Sequence, residues 1–342
     1  IKNNQNKYSA IIYGLLDSQT NLSSKGGIRL DSYVYTVEAF EEARNILKDD
    51  GVMYLSFFVQ APELGFKIFK MLEKTFGHKP LVLKSELNDR YVFVAKNQKQ
   101  SKLNINNLKY FKITKVFEQD RAYKIDLSTD DWPFIYMPSK VYPLTYLVIV
   151  ILLVSSSIIF LNKIIKIKKN NFSFICFFLG AGFMLVETKC ITEMAKIYGS
   201  TWMVTSIVIG VVLIMAFIAN LLVIKKVRLN ILQVYLLLIA SLFLGYLSSK
   251  TGFNIINQKV FNLFFPLVLT LPILFSGIAF SKELSKIKSA SQAISANILG
   301  AMLGGFLEYN SMYFGFSSLY LLAGFLYFLA FFFYFLKYKK IY

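Results

Sequence analysis

The chain has 342 residues, 55% of them hydrophobic and 17% charged, with 33 Phe and 21 Tyr, more apolar side chain than a soluble fold of this length needs to fill a core. The net charge of +18 does not point to nucleic acid, because many of the lysines sit in short clusters between long apolar runs, where they act as membrane-topology signals. Two cysteines and one histidine give no disulfide framework and no zinc spacing, and leave a Ser-His-Asp triad only His78, a residue with the setting of a surface loop.

The chain opens at Ile1 with no Met or signal peptide and runs straight into a buried strand, so it reads as a fragment whose upstream part is missing. The run YSAIIYGLL (8–16) is short, apolar and β-branched, as expected of a strand covered on both faces. After a polar loop, residues 36–51 place Val37, Phe40, Ala43 and Leu47 on one helical stripe, with Thr36 as N-cap and Asp50-Gly51 as stop. Residues 52–59 form the next buried strand, and 62–77 the next helix, with Pro62 suited to its first turn. LVLKSE and RYVFVAK, joined through Leu-Asn-Asp, read as an antiparallel hairpin closing the sheet. The order strand, helix, strand, helix, hairpin predicts the back half of a doubly wound, Rossmann-like α/β domain over residues 1–97. Residues 98–142, polar and weakly patterned, read as a linker or strap ending in TDDWPF.

Residues 143–342 predict an all-α polytopic bundle. Apolar segments at 143–162, 172–190, 201–224, 229–249, 260–281, 289–307 and 316–336 match a hydrocarbon core of ~30 Å, giving six or seven spans. If all seven cross, Lys163, Lys166, Lys168, Lys169, Lys225, Lys226, Arg228, Lys282, Lys286, Lys288, Lys337, Lys339 and Lys340 collect on one side. The other side holds only Lys189, Lys196, Lys250 and Lys259. The positive-inside rule makes the first side cytoplasmic and puts the α/β segment outside; if 143–162 instead lay along the membrane, that segment would be cytosolic. A bacterial inner membrane is the expected location.

The stretches YSAIIYGLLDS, RLDSYVYTVEAFEEARNILKDDGVMYLSF, TDDWPFIY and FFLGAGFMLVETKCITEMAKIYGSTWMV (177–204) resemble the membrane-bound relatives of spermidine synthase, across nearly the whole chain. The resemblance implies the C-terminal half of a class I methyltransferase-type fold. It also implies a transferase acting on a polyamine or other amine, with S-adenosylmethionine or its decarboxylated form as cofactor and no metal. The family's strand-end motif resembles Y-D-V-I-I-x-D-S-S-D-P. Here Gly14 stands at the usual base position, Asp17 at the second acid and Ser18 at the proline. Asp17 is thus the candidate catalytic residue, and Arg29, Asp31, Asp130 and Asp131 are candidates for holding the substrate. The glycine-rich nucleotide loop is expected upstream of Ile1. An amine nucleophile is protonated at neutral pH, so the departure at Gly14 removes a carboxylate that the chemistry would use.

Other meanings attach to the same residues. Asp17 serves equally as a loop cap, Arg29 and Asp31 as a loop ion pair, and the TDDW stretch as a turn whose Trp anchors at the membrane interface. In the membrane half, Glu187, Lys189 and Glu193 form a candidate polar site, because charges facing lipid are expensive. Asn220, Asn297 and Glu308 are candidate interhelical hydrogen-bond partners, and Gly300, Gly304 and Gly305 a close-packing face. Two readings follow. One is a membrane-anchored transferase; the other is a transporter or sensor whose α/β segment binds an amine or nucleoside-like ligand, or regulates, without catalysis.

Overall fold

In a computed structural model of the chain, residues 6–14, 30–98, 109–118, 123–160, 172–198, 202–251, 258–287 and 289–339 are described. They fall into two compact units, Ile1–Val141 and Tyr142–Tyr342.

The first unit is built on a mixed five-stranded sheet of order β1-β2-β4-β3-β5. Its strands are β1 (Tyr8–Tyr13), β2 (Leu47–Phe58), β3 (Leu81–Ser85), β4 (Arg90–Lys96) and β5 (Phe111–Thr114). Strands β1 and β2 are parallel, and α1 (Val37–Asn45) lies between them in sequence. After α2 (Pro62–Phe76), β3 and β4 form the hairpin, and its second strand pairs antiparallel with β2. One core cluster gathers Phe40 and Ala43 of α1, Ile68, Phe69 and Leu72 of α2, and Met53, Leu55 and Phe93 of the sheet. A smaller one, Val52, Leu83 and Val94, lies with Tyr54 and Phe111. The alternation along β2 and β4 sends successive residues to these two clusters.

Two expectations are corrected here. The helix expected over 36–51 starts where foreseen, with Thr36 accepting a hydrogen bond from the Ala39 amide at 3.2 Å, but ends at Asn45. Lys48-Asp49-Asp50-Gly51 does not extend the helix; it bulges from the start of β2, since Tyr8 pairs with Leu47 and Ala10 already with Val52. Asp and Gly are weak helix formers, and tertiary ties take over. Arg44 donates to the Thr75 carbonyl at 2.6 Å and to Asn97 at 3.2 Å, while the Asn97 amide donates to the Gly51 carbonyl at 2.9 Å. The second correction is β5, a strand inside the segment read as linker. It adds to the outer edge of β3, from Val82↔Thr114 to Ser85↔Phe111.

The second unit is helical. Its elements are α3 (Leu144–Phe160), α4 (Phe174–Tyr198), α5 (Trp202–Ile224), α6 (Ile231–Thr251), α7 (Gln258–Leu284), α8 (Ala290–Leu307), α9 (Ser311–Phe314) and α10 (Ser318–Lys339). Among the described residues six helical stretches are long and apolar enough to cross a membrane: 174–196, 204–224, 231–249, 264–284, 290–314 and 318–338. The chain is thus read as an integral membrane protein. The α3 helix is apolar but shorter over its described part, and Leu144, Ile149, Ile151 and Leu152 are exposed along it. It is tied at its start, where Tyr146 donates to the Phe306 carbonyl at 2.6 Å and stacks on Tyr309.

The bundle is organised around α4, which packs on α8, α10, α7 and α5. Backbone approach makes this possible. A Cβ on Gly300 would run into the carbonyl oxygen of Phe177, and one on Gly304 into that of Ala181. Small residues at such crossings let van der Waals contact replace the hydrophobic drive that lipid removes.

Candidate functional site: a buried ionic centre on α4

The helix expected to end near residue 190 continues to Tyr198, so Glu187, Lys189 and Glu193 lie within it. Spacing of i, i+4 and i+7 puts Lys189, Glu193 and Lys196 on one face. Lys189 and Glu193 are 0% and 4% exposed, which makes them the most deeply enclosed charges on α4. Lys189 pairs with Glu193 Oε1, and Lys196 Nζ reaches the same oxygen at 3.3 Å. From α6, the Ser249 hydroxyl donates to it at 2.7 Å. On the α10 side, the Phe316 and Tyr320 rings lie 5.8 and 5.4 Å from the Lys189 ammonium, within cation–π range. The Tyr320 hydroxyl is buried and has no hydrogen-bond partner among the described residues.

Neighbouring positions on α4 reach other helices. Cys190 Sγ donates to the Leu269 carbonyl of α7 at 3.2 Å, and Thr188 to Glu308 beyond α8 at 3.1 Å. Further up α4, Asn297 donates from α8 to the Cys176 carbonyl at 3.1 Å. Glu187 is half-buried and makes no hydrogen bond or ion pair among the described residues. Lys189 finds its carboxylate on its own helix, at Glu193 one turn along. Asn220 is exposed on α5 and takes no part. Sequence reasoning missed Ser249 and Tyr320, which approach only through helix packing and carry no local signal.

In the first unit, Asp17 and Arg29 lie outside the described residues, as does the side chain of Asp31, which opens a 3-10 turn over Leu30–Tyr35. The TDDW stretch folds back onto the unit. Thr129 and Trp132 exchange backbone hydrogen bonds, Asp130 Oδ1 accepts from Thr36 at 2.7 Å, and the Asp130 amide donates to Glu38 at 3.0 Å. Asp130 thereby braces the N-terminus of α1, with Asp131 half-buried in the same turn. Burial raises the Glu38 carboxyl above its usual range, helped by the Asp130 charge. Trp132 is 1% exposed, so it belongs to this unit's packing and is no lipid-interface anchor.

Beneath the strap lies a residue that sequence patterning did not single out. Lys67 of α2 is fully buried and donates to the carbonyls of Phe134 at 2.7 Å and Met137 at 2.8 Å. Its ammonium sits 4.4 Å from the centre of the Trp132 ring. Desolvation lowers its pKa to about 7, against an opposing pull from Asp126. His78 Nε2 donates to the Lys96 carbonyl at 2.9 Å, and the ring packs near Phe76, a structural role in the turn after α2. Among the described residues no group of His, Cys, Asp or Glu side chains is arranged to hold a metal ion.

No protein-family model matches the chain, and no curated protein or solved structure is found to be similar to it.

Proposed function

We propose that the protein is a membrane transporter or sensor that works through the ionic centre on α4, with the α/β unit as a ligand-binding or regulatory module. The observation that carries this reading is the enclosure of Lys189 and Glu193 inside the bundle, with Lys196 and Ser249 converging on one carboxylate oxygen. Buried ion pairs contribute little net stability, since the desolvation of both charges offsets their attraction. Ionisable groups retained inside membrane bundles mark ligand, ion or proton sites for that reason. The pair tethers α4 to α6 through Ser249 and flanks α10 through Tyr320, so rearranging it would shift three helices against each other.

A transporter or sensor of this kind opens its centre to water in at least one state. Ser249→Cys, treated with a membrane-impermeant maleimide in intact cells and in inverted vesicles, tests this against the wild-type background of two buried cysteines. Labelling from one face supports the reading. Absence of labelling from both faces reduces the centre to a sealed packing feature and defeats the proposal.

A second reading, the amine transferase, is favoured by the sheet. A parallel pair β1-β2 joined through α1, then a hairpin whose second strand inserts antiparallel beside β2, is compatible with the back half of a methyltransferase-type fold. In such folds ligands sit at the carboxyl edge of the parallel strands, the edge at which β1 ends with Tyr13. The described residues there, Tyr13, Tyr35 and Phe57, pack on one another and offer no carboxylate to a cofactor ribose. No transfer step is derived from them. Calorimetric titration of the full chain with S-adenosylmethionine and with its decarboxylated form separates the readings. Micromolar binding lost in Asp17→Asn would favour the transferase.

A further inference from the structure

The turn between α5 and α6 and the ends of α7 and α10 meet in one basic surface. Lys282 of α7 donates to the Leu229 carbonyl in that turn. Lys286, just past α7, donates to the Tyr334 hydroxyl of α10 at 2.9 Å. Its ammonium lies 5.0 and 4.4 Å from the centres of the Tyr334 and Tyr338 rings, within cation–π range. Lys225, Lys226 and Arg228 are exposed, and their side chains make no hydrogen bond or ion pair among the described residues. Beyond Tyr142 the sequence holds four glutamates and no aspartate, and only Glu283 belongs to this end. Glu283 is 1% exposed and already held by Lys337 and by the Tyr338 hydroxyl at 3.2 Å. Five cations therefore share the surface with no exposed carboxylate among the described residues.

The turn that carries three of them is rigid and strained. Lys226 has φ 53°, the only positive value at a non-glycine among the described residues. Its amide donates to the Val223 carbonyl at 3.0 Å and the Val227 amide to that of Leu222 at 3.1 Å. This is the Schellman cap, which places glycine by preference where Lys226 stands. A few residues on, the Asn230 amide donates to Gln233 Oε1 at 2.9 Å and opens α6. Two caps in so short a turn fix its conformation, so a ligand meets cations already in place. A lysine kept in the left-handed region, at a cost that glycine avoids, points to use of its charge.

Apolar groups interleave with these cations. Ile224 and Val227 are 72% and 42% exposed, and Leu232 and Leu236 continue the open apolar surface along α6. A free phosphate or a nucleic acid would leave Ile224 and Val227 in water, whereas a lipid covers both kinds of group. Tyr334 and Tyr338 add the aromatic residues that mark headgroup depth. The side is the one that the positive-inside rule makes cytoplasmic, facing the leaflet rich in anionic lipid.

We infer that this surface binds an anionic phospholipid, with the phosphate among the cations of the α5–α6 turn and α7 and the acyl chains along the exposed side of α6. Arginine forks onto phosphate oxygens and lysine adds point charge, so Arg228 and Lys286 are the residues expected to matter most. The surface uses none of the α4 residues and stands whatever the ionic centre does.

The test reconstitutes the purified full chain in phosphatidylcholine bilayers and compares the protein-restricted fraction of spin-labelled phosphatidylglycerol with that of spin-labelled phosphatidylcholine. The expected preference for the anionic lipid is about three-fold or more at low salt, weakening as salt screens it. Arg228→Gln/Lys286→Gln should bring it close to parity. Lys250→Gln/Lys259→Gln removes the same charge from the opposite helix ends and should leave the preference in place. Lys226→Gly should lower the preference while raising the melting temperature, because it removes charge and strain together. No preference in the wild type overturns the proposal, as does an equal loss in the two double variants. Displacement of the labelled lipid by glycerol 3-phosphate or by a short RNA would assign the surface to a soluble anion and overturn it as well.

Discussion

At the scale of single residues the chain places two lysines where lysine is least expected, and it treats them differently. Lys189 meets a carboxylate, whereas Lys67 meets two backbone carbonyls and an indole face. For Lys67 the pH dependence follows from its pKa of about 7 in the folded unit against 10.5 for a free lysine. The unfolded chain binds the extra proton between these values, so stability rises with pH across that window and the penalty is fully present below pH 7. The expected gain from pH 7 to 9 is about 2 kcal/mol, at ~1.4 kcal/mol per unit. Thermal unfolding followed by Trp132 fluorescence, in a Trp202→Phe background, should show this slope, and Lys67→Met should abolish it. An unchanged slope in Lys67→Met would assign the pH dependence elsewhere. Lys67→Ala should destabilise the strap by about 2–4 kcal/mol, through the orphaned Met137 carbonyl and a cavity, while the Phe134 carbonyl keeps the Met137 amide.

At the scale of elements, what the sequence made legible was whatever has a period. The strands β2, β3 and β4, helix α2 with Pro62 in its first turn, and the apolar spans are carried by alternation, by helical stripes or by run length; β1 is a strand as expected, but an edge strand with Ile12 exposed and not one covered on both faces. The end of α1 was not legible, because the stripe through Leu47 continues although Arg44, Asn97 and Gly51 pull the chain into β2. Strand β5 was not legible either: Phe111–Thr114 has exposed or half-buried side chains and owes its conformation to the free edge of β3. At the candidate site, Glu187, Lys189 and Glu193 stood out as charges in or beside an apolar run, whereas Ser249 and Tyr320 are ordinary residues until the helices pack. The glycine face divides similarly. Gly300 and Gly304 abut the α4 backbone, while a Cβ on Gly305 would meet nothing within 4 Å. Gly300→Ala should therefore cost 2 kcal/mol or more, at roughly the scale of core overpacking. Gly305→Ala should be neutral or stabilise by about 0.5–1 kcal/mol through helix propensity. Melting of the two variants in detergent checks the contrast, and equal effects would remove close α4–α8 contact as the reason for the glycines.

At the scale of the whole molecule, charge and helix count together constrain topology. The turn after α5 carries Lys225, Lys226 and Arg228, the end of α7 and the turn after it Lys282 and Lys286, and the end of α10 Lys337 and Lys339. An even number of spans separates each from the next, so all three lie on one side, which the positive-inside rule makes cytoplasmic whether or not α3 crosses. Reporter insertions at Lys226 and after Lys339 should both read cytoplasmic; opposite readings would break the six-span assignment. The central claim is that the charges on α4 are kept for function and not for stability. It is tested most directly by comparing the thermal stability of the wild type, Glu193→Gln and the double variant Lys189→Met/Glu193→Leu in detergent. Removing one partner leaves a buried charge uncompensated and should cost about 3–5 kcal/mol, whereas replacing both with apolar side chains of similar volume should be neutral or stabilising. A double variant as stable as the wild type is the predicted result. One destabilised as strongly as Glu193→Gln would make the centre a structural clamp and contradict the account.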